Sequence, residues 1–232
     1  MHLPPLSSRL AACCELVRPG AKVADIGCDH GYLGIHLLHN KIADFVYAAD
    51  LNEGPLQSAV INARKFGLDS KMTFYLSDGV RNVPRDFDTL VCAGMGADTM
   101  ISILESAPWL RSDKYRLILQ CQSRRPELRK YLYEKGFSIL SETLAKDGKF
   151  VYPIMEVIYH PSTALTEGGY HISPALLASK SPLLPEFYAR VVEGVKTTVA
   201  GLSLSGGEKL HHYQAVLTEL LELEEYIHGN CQ

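Results

Sequence analysis

No run of about eighteen apolar residues occurs in the 232-residue chain, and the one modest apolar stretch near its start is interrupted by Arg9. A membrane-spanning helix and a secretory leader are therefore not expected, and the compartment read from the sequence is the cytoplasm. Six cysteines (Cys13, Cys14, Cys28, Cys92, Cys121 and Cys231) are scattered without a CxxC pair. Neither a zinc or other metal site nor a disulfide framework is expected, and the thiols read as reduced and mostly buried. There is no excess of one charge sign either: 23 Lys and Arg face 26 Asp and Glu, a formal net charge of -3. A strongly basic nucleic-acid binder is thereby disfavoured as a whole-chain property, although a basic patch on one face can coexist with an acidic whole. No internal repeat or low-complexity tract is evident. What the chain does have is 47% hydrophobic residues, enough for one α/β domain with a small appendage.

The chain is organised around residues 23–34. Val23, Ala24 and Ile26 supply a short apolar strand, and Gly27 and Gly31 remove side chains where the backbone must bend sharply or lie against a ligand. The middle glycine of a dinucleotide-binding GxGxxG is absent, because the run reads Gly27-Cys28-Asp29-His30-Gly31. A carboxylate at that point repels a pyrophosphate and suits an amine-bearing or cationic ligand, which disfavours NAD and favours S-adenosylmethionine. The plain alternative is a glycine turn closing a strand-helix unit with no ligand.

Further along, residues 6–17 carry a helical spacing (Leu6, Leu10, Cys13, Val17) that Arg18-Pro19-Gly20 ends. Strands are predicted at 44–50, 72–76, 87–93 and 115–120, alternating with helices at 55–66, from Asp98 or Thr99 as cap to about 106, and at 125–135. An antiparallel pair at 137–143 and 150–159, joined by Asp147-Gly148, closes the series. Such alternation predicts an α/β class, a mostly parallel, doubly wound, Rossmann-like sheet over residues 1–160. Residues 161–232 then read as a connector with at most short helices, followed by two amphipathic helices broken at Gly206-Gly207 and packed as an antiparallel hairpin.

Asp25, Gly27, Asp50, Asp78 and Gly94 each close a different predicted strand, so a doubly wound sheet brings them to one rim. Asp50 lies about 20 residues beyond the glycine turn, where a carboxylate accepts both hydroxyls of a ribose diol. Ser77-Asp78-Gly79 offers an acceptor for an adenine amino group, or is simply a turn. No Asp/Asn-Pro-Pro-aromatic tetrad follows the fourth strand, which argues against the usual exocyclic-amine methyltransferases. A ring nitrogen or a small-molecule acceptor stays open.

The segments Leu6-Ser7-Ser8-Arg9-Leu10, Ala24 through Leu33, Asp50-Leu51-Asn52-Glu53-Gly54-Pro55-Leu56, Ser77-Asp78-Gly79, Ala93-Gly94-Met95-Gly96 and Gly148-Lys149 resemble those of the TrmK family, bacterial tRNA adenine-N1 methyltransferases acting at tRNA position 22. Two positions depart from the family pattern: Ala97, where a glycine is expected, and Cys121, where a proline is expected after Gln120. The resemblance implies a class I methyltransferase domain with a C-terminal coiled-coil appendage, S-adenosylmethionine as cofactor and tRNA as partner. It implies cofactor contacts at Asp25, Gly27, His30, Asp50, Leu51, Asp78, Gly79, Gly94 and Met95. Asp29 is the catalytic candidate, facing N1 and the N6 amine of the target, or else a helix cap. His30 is either a pocket wall or a buried, internally satisfied histidine. Arg9 and the cluster Arg124, Arg125, Arg129 and Lys130 are expected to meet RNA phosphates, or to form an ordinary solvated helix face. No membrane contact is expected, and the tail leaves either a monomer or a weak homodimer. A small-molecule or protein methyltransferase and a non-catalytic RNA-binding module are the competing functions.

Overall fold

A computed structural model describes residues 3–203 and 206–230. Its elements run α1 (Ser8–Glu15), β1 (Ala21–Ile26), α2 (Tyr32–His39), β2 (Ala43–Asp50), α3 (Glu53–Lys65), β3 (Met72–Leu76), β4 (Thr89–Met95), α4 (Ala97–Glu105), β5 (Arg116–Cys121), α5 (Arg125–Glu134), β6 (Phe137–Asp147) and β7 (Phe150–Tyr159). Beyond these come α6 (Glu167–His171), α7 (Pro174–Ala178), α8 (Leu184–Leu202), α9 (Glu208–Glu222) and α10 (Glu224–Asn230).

The strands form one sheet in the order β3-β2-β1-β4-β5-β7-β6. The first five pair in parallel, and β7 joins β5 and β6 antiparallel. Parallel strands joined by helices bury both faces, and the residues alternate accordingly. Val23, Val46, Ala48, Val91 and Ile118 pack under α1, α2 and α3, while Ala24, Ile26, Leu90, Cys92, Leu117 and Leu119 pack under α4 and α5. Side chains such as Ile35, Leu37 and Leu128 are fully buried, each worth about 1.5–3 kcal/mol of transfer free energy.

Three local features differ from the sequence expectation. β4 runs on to Met95, because Met95 pairs with Cys121 across a register shift at Gly94, whose φ of 82° is open to glycine. The N-cap of α4 is Gly96, so Asp98 lies inside the first turn, where its charge suits the positive end of the helix. Finally, the last helix ends at Glu222 and a separate α10 begins at Glu224, with Glu224 and Glu225 in its first turn.

The connector contains α6 and α7, each N-capped by a side chain, Thr166 to the N–H of Gly169 and Ser173 to the N–H of Leu176. The Tyr188 hydroxyl, early in α8, donates to the Leu220 carbonyl, late in α9, at 2.8 Å, so these two helices run antiparallel. Their apolar faces form a third core that includes Leu144 of β6 and Val151 of β7, which seats the hairpin on the antiparallel edge of the sheet. Below this seat, buried Arg129 of α5 pairs with Glu142 of β6 and donates to the Tyr170 carbonyl at 2.9 Å. Ser173 donates to the same glutamate. One buried ion pair thus ties α5, β6, α6 and α7 together. Among the described residues no helix is long and apolar enough to cross a membrane.

Candidate functional site

Parallel pairing brings the C-terminal ends of β1, β2, β3 and β4 to a common edge. The turn after β1 is fixed mainly by backbone. The N–H groups of Gly27 and Cys28 both donate to the Ala49 carbonyl, at 2.8 and 3.0 Å, and Gly31 N–H donates to the Cys28 carbonyl at 2.8 Å. Gly27 and Gly31 both have φ of 73°, and a Cβ on Gly31 would come within 2.9 Å of Ala59 Cβ. Asp29 also adopts a left-handed conformation, with φ of 49°, which Asp tolerates better than most residues.

Asp50 locks this turn to its own strand end. Its Oδ2 accepts the N–H of Asp29 at 3.1 Å and its Oδ1 accepts the N–H of Asn52 at 2.9 Å. Each oxygen keeps a second lone pair for a ligand hydroxyl. Asp25 lies deeper, 4% exposed, and its Oδ2 has no hydrogen-bond partner among the described residues. Burial pushes its carboxyl up to about 7, with the neighbouring Asp50 adding to the rise and the Gly34 N–H opposing it.

Two cavities open along the edge. The smaller, of about 270 Å³, is walled by Asp25, Asp29, His30, Arg9 and Gly94, and the larger, of about 550 Å³, by Asp50, Leu51, Asp78 and Gly79. Gly27 and Met95 wall both, and a Cβ on Gly27 would fall 2.3 Å from Met95 Cε, so this glycine is required for the methionine to lie across the turn. All nine residues expected at the cofactor therefore stand around one pair of adjoining cavities. An amine at the orphaned Asp25 oxygen, a vicinal diol at Asp50 and an amino-bearing ring at Asp78 would complete the acceptors present. S-adenosylmethionine carries all three groups. Asp78 is 57% exposed and pairs with Arg81 at 2.9 Å, a surface bridge weak enough to give way to a ligand.

Other expected residues lie in different surroundings from those read in the sequence. Asp29 does not cap α2, whose N-cap is Gly31 with no side-chain bond. Its carboxylate is 72% exposed and 3.8 Å from His30 Nε2. His30 is not buried: half its side chain is exposed at the cavity mouth, because the turn carries it outward while Asn62 holds its carbonyl at 3.0 Å. Arg9 reaches into the smaller cavity instead of outward, donating to Gln120 Oε1 at 3.2 Å and pairing with Asp147 at 3.4 Å. In the α5 cluster, Arg124 pairs with both Asp98 oxygens at 2.7 and 2.9 Å, and Lys130 pairs with Glu167 at 2.9 Å. Arg129 has no exposed surface, since its guanidinium is committed to Glu142 and Tyr170. The five described cysteines are free and buried, and burial pushes the Cys14 thiol up to about 12. Cys231 lies outside the described residues. No cluster of three or more His, Cys, Asp or Glu side chains suited to a metal ion occurs among the described residues.

Two contributors escaped sequence reading. Gln120, fully buried, accepts the Gly94 N–H at 2.9 Å as well as Arg9, so it holds the β4 bulge and the arginine in place. A lone amide at the end of the apolar strand Arg116–Cys121 was the available signal. Asp147 was legible as a turn residue, but its pairing with Arg9 joins residues at opposite ends of the sheet domain's sequence.

Comparison with known proteins places this geometry. A family model described as a methyltransferase domain matches residues 6–155. The tRNA (adenine(22)-N(1))-methyltransferase of Bacillus subtilis is 34% identical over 146 residues, 62% of this chain and 61% of that protein. The chain thus spans about 61% of the length of the curated relatives it matches. Among solved structures, a Streptococcus agalactiae protein of the NADB-Rossmann superfamily superposes with a TM-score of 0.84 at 28% identity, covering 95% of this chain and 97% of that one. A candidate tRNA (m1A22) methyltransferase of Streptococcus pneumoniae, solved with S-adenosyl-L-methionine, gives 0.80 at 28% identity, covering 92% and 100%. With the family model covering well over half of its length and the cavity pair lying within the matched residues, this chain belongs to the methyltransferase-domain family.

Proposed function

We propose that the chain transfers a methyl group from S-adenosylmethionine to N1 of the adenine at position 22 of tRNA. The observation that carries this reading is the buried Asp25 oxygen, without a hydrogen-bond partner among the described residues, on a residue lining the smaller of the two joined cavities, an acceptor that calls for an ammonium donor. Similarity to the Bacillus and Streptococcus proteins supports the choice of substrate. The cofactor supplies an electrophilic methyl on a sulfonium. Asp25 binds its amino group, Asp50 its ribose diol and Asp78 its adenine amine, while Gly27, Gly94 and Met95 let it lie close to the backbone.

Adenine N1 would attack the methyl carbon with its own lone pair while the carbon–sulfur bond breaks and its electron pair leaves with S-adenosylhomocysteine, so no general base is required in the bond-forming step, and the product ring is cationic. Asp29, exposed at the mouth of the smaller cavity, stabilises that developing charge and orients the N6 amine. N1 is a Watson–Crick acceptor, so a paired target must first be unstacked and flipped. Arg9, held by Gln120 and Asp147 at the same cavity, meets the RNA at the target, while Arg124, Arg125 and Lys130 border the groove between α5 and the hairpin. Arg129 acts only by holding that groove together. The enzyme works in the cytoplasm as a monomer or weak homodimer and needs neither membrane nor metal.

The test incubates purified protein with labelled S-adenosylmethionine and an unmodified tRNA transcript, followed by nucleoside mass spectrometry. Label should appear as 1-methyladenosine, and a transcript with guanosine at position 22 should accept none. Cofactor binding without transfer to RNA would overturn the reading in favour of a protein or small-molecule acceptor.

A further inference from the structure

Two more cavities meet at the seam between the sheet and the helical hairpin. One, of about 430 Å³, lies between α5 and the helices α8 and α9, and the other, of about 470 Å³, runs past the start of β7 to Gly96, Gln122 and Ser123. Arg125, Phe187, Arg190 and Val191 wall both, so the two form one trough. Its inner end is Gly96, the residue after Met95 at the cofactor edge. The trough thus leads from the reacting site to the hairpin.

Its charges do not cancel. The carboxylates lining it, Glu127 and Glu167, are taken by Arg124 and Lys130. Arg125 is half-buried over the Phe187 ring, 5.1 Å from its centroid, and has no carboxylate partner among the described residues. Burial, with Arg129 nearby, lowers its pKa. Arg190 shares one nitrogen with Glu186 at 2.9 Å and stands 6.0 Å from the ring of Phe150, which is 49% exposed. A half-desolvated guanidinium without an anion is unfavourable, and guanidiniums beside exposed aromatic faces are the pattern that grips single-stranded nucleic acid, phosphate on the cation and base on the ring.

We propose that Arg125 and Arg190 each bind a backbone phosphate of the RNA substrate, beside a base stacked on Phe150, so that the seam between sheet and hairpin is a second RNA subsite. This rests on the RNA-methylating function proposed above and deepens it, because it assigns binding to one residue from each side of the seam. It also explains how the hairpin serves the reaction: it completes the trough.

The test is retention of a tRNA transcript on filters across a salt series, for the wild-type protein and for Arg125→Gln, Arg190→Gln, Phe150→Ala and Lys71→Gln. Each arginine variant should bind several-fold more weakly, and the slope of log affinity against log salt should fall by about 0.7 to 0.9, because one phosphate fewer is neutralised. Phe150→Ala should weaken binding roughly tenfold with the slope unchanged. Lys71, which precedes β3 at the opposite end of the strands, should be silent. Calorimetric affinity for S-adenosylmethionine should match wild type in every variant, which shows that the fold is retained. Arginine variants that keep both affinity and slope, while the wild-type protein methylates the same transcript, would overturn the subsite alone. A wild-type protein that neither binds nor methylates the transcript overturns the RNA reading itself, and the subsite with it.

Discussion

Replacing Asp25 by Asn tests the cofactor assignment at its most exposed point. The carboxyl is raised from an ordinary 3.8 to about 7, chiefly by burial. A carboxyl raised on folding binds more protons in the native than in the unfolded state. Its favourable contribution is therefore complete below 3.8 and is lost as pH rises through about 7. At about 1.4 kcal/mol per unit, the ligand-free protein forfeits up to roughly 4 kcal/mol across that window. Asp25→Asn removes this penalty, so at pH 8 the ligand-free variant should melt several degrees above wild type, whereas near pH 4 the two should coincide. Cofactor binding should move the opposite way. Leaving an ammonium without its buried carboxylate costs about 3–5 kcal/mol, a loss of roughly 10²- to several times 10³-fold in Kd. Wild-type affinity for S-adenosylmethionine should also fall about tenfold per pH unit below 7, because binding must first deprotonate Asp25, and the variant should lose that dependence. Calorimetry in two buffers of different ionisation enthalpy measures the proton release directly. A variant that binds the cofactor within threefold of wild type, or a wild-type affinity flat from pH 5.5 to 8, would refute the assignment.

Asp29→Asn keeps a residue that tolerates the left-handed backbone at φ of 49° but removes the charge, so single-turnover methyl transfer should slow about 10- to 100-fold with cofactor Kd unchanged. Turnover within threefold of wild type would dismiss the charge-stabilising role. Arg129→Met should cost about 3–5 kcal/mol in urea denaturation by stranding the buried Glu142 carboxylate, and Arg129→Met combined with Glu142→Leu should recover much of it. A single-variant loss below about 1 kcal/mol would mean that the pair does not tie the connector to the sheet.

The parallel sheet and the convergence of its candidate site residues on one edge were legible because each depends on local chemistry. Apolar runs ending in Asp25-Ile26-Gly27, Asp50 and Gly94 mark strands, and glycines in a strand-to-helix turn mark close backbone approach. The α5 charges were not legible in the same way. Arg124, Arg125, Arg129 and Lys130 read alike in sequence, yet four environments separate them: a surface fork to Asp98, an aromatic ring, a buried ion pair and a surface bridge to Glu167. Arg125 and Arg129 are four residues apart, on the helix face that turns toward the hairpin, and Leu128 and Leu132 are buried next to them. That placement made burial of an arginine foreseeable, but its partners lie 13 and 41 residues onward in β6 and α6. The distinction has a functional consequence. Because Arg129 is committed to holding β6 and the connector, the cation available for the phosphate contact proposed above is the one a turn earlier. The helix that ties the connector to the sheet therefore also presents the trough's guanidinium that has no carboxylate partner among the described residues, and, on the RNA subsite proposed above, changes that loosen this tie should weaken RNA binding before they disturb the cavities at the sheet edge.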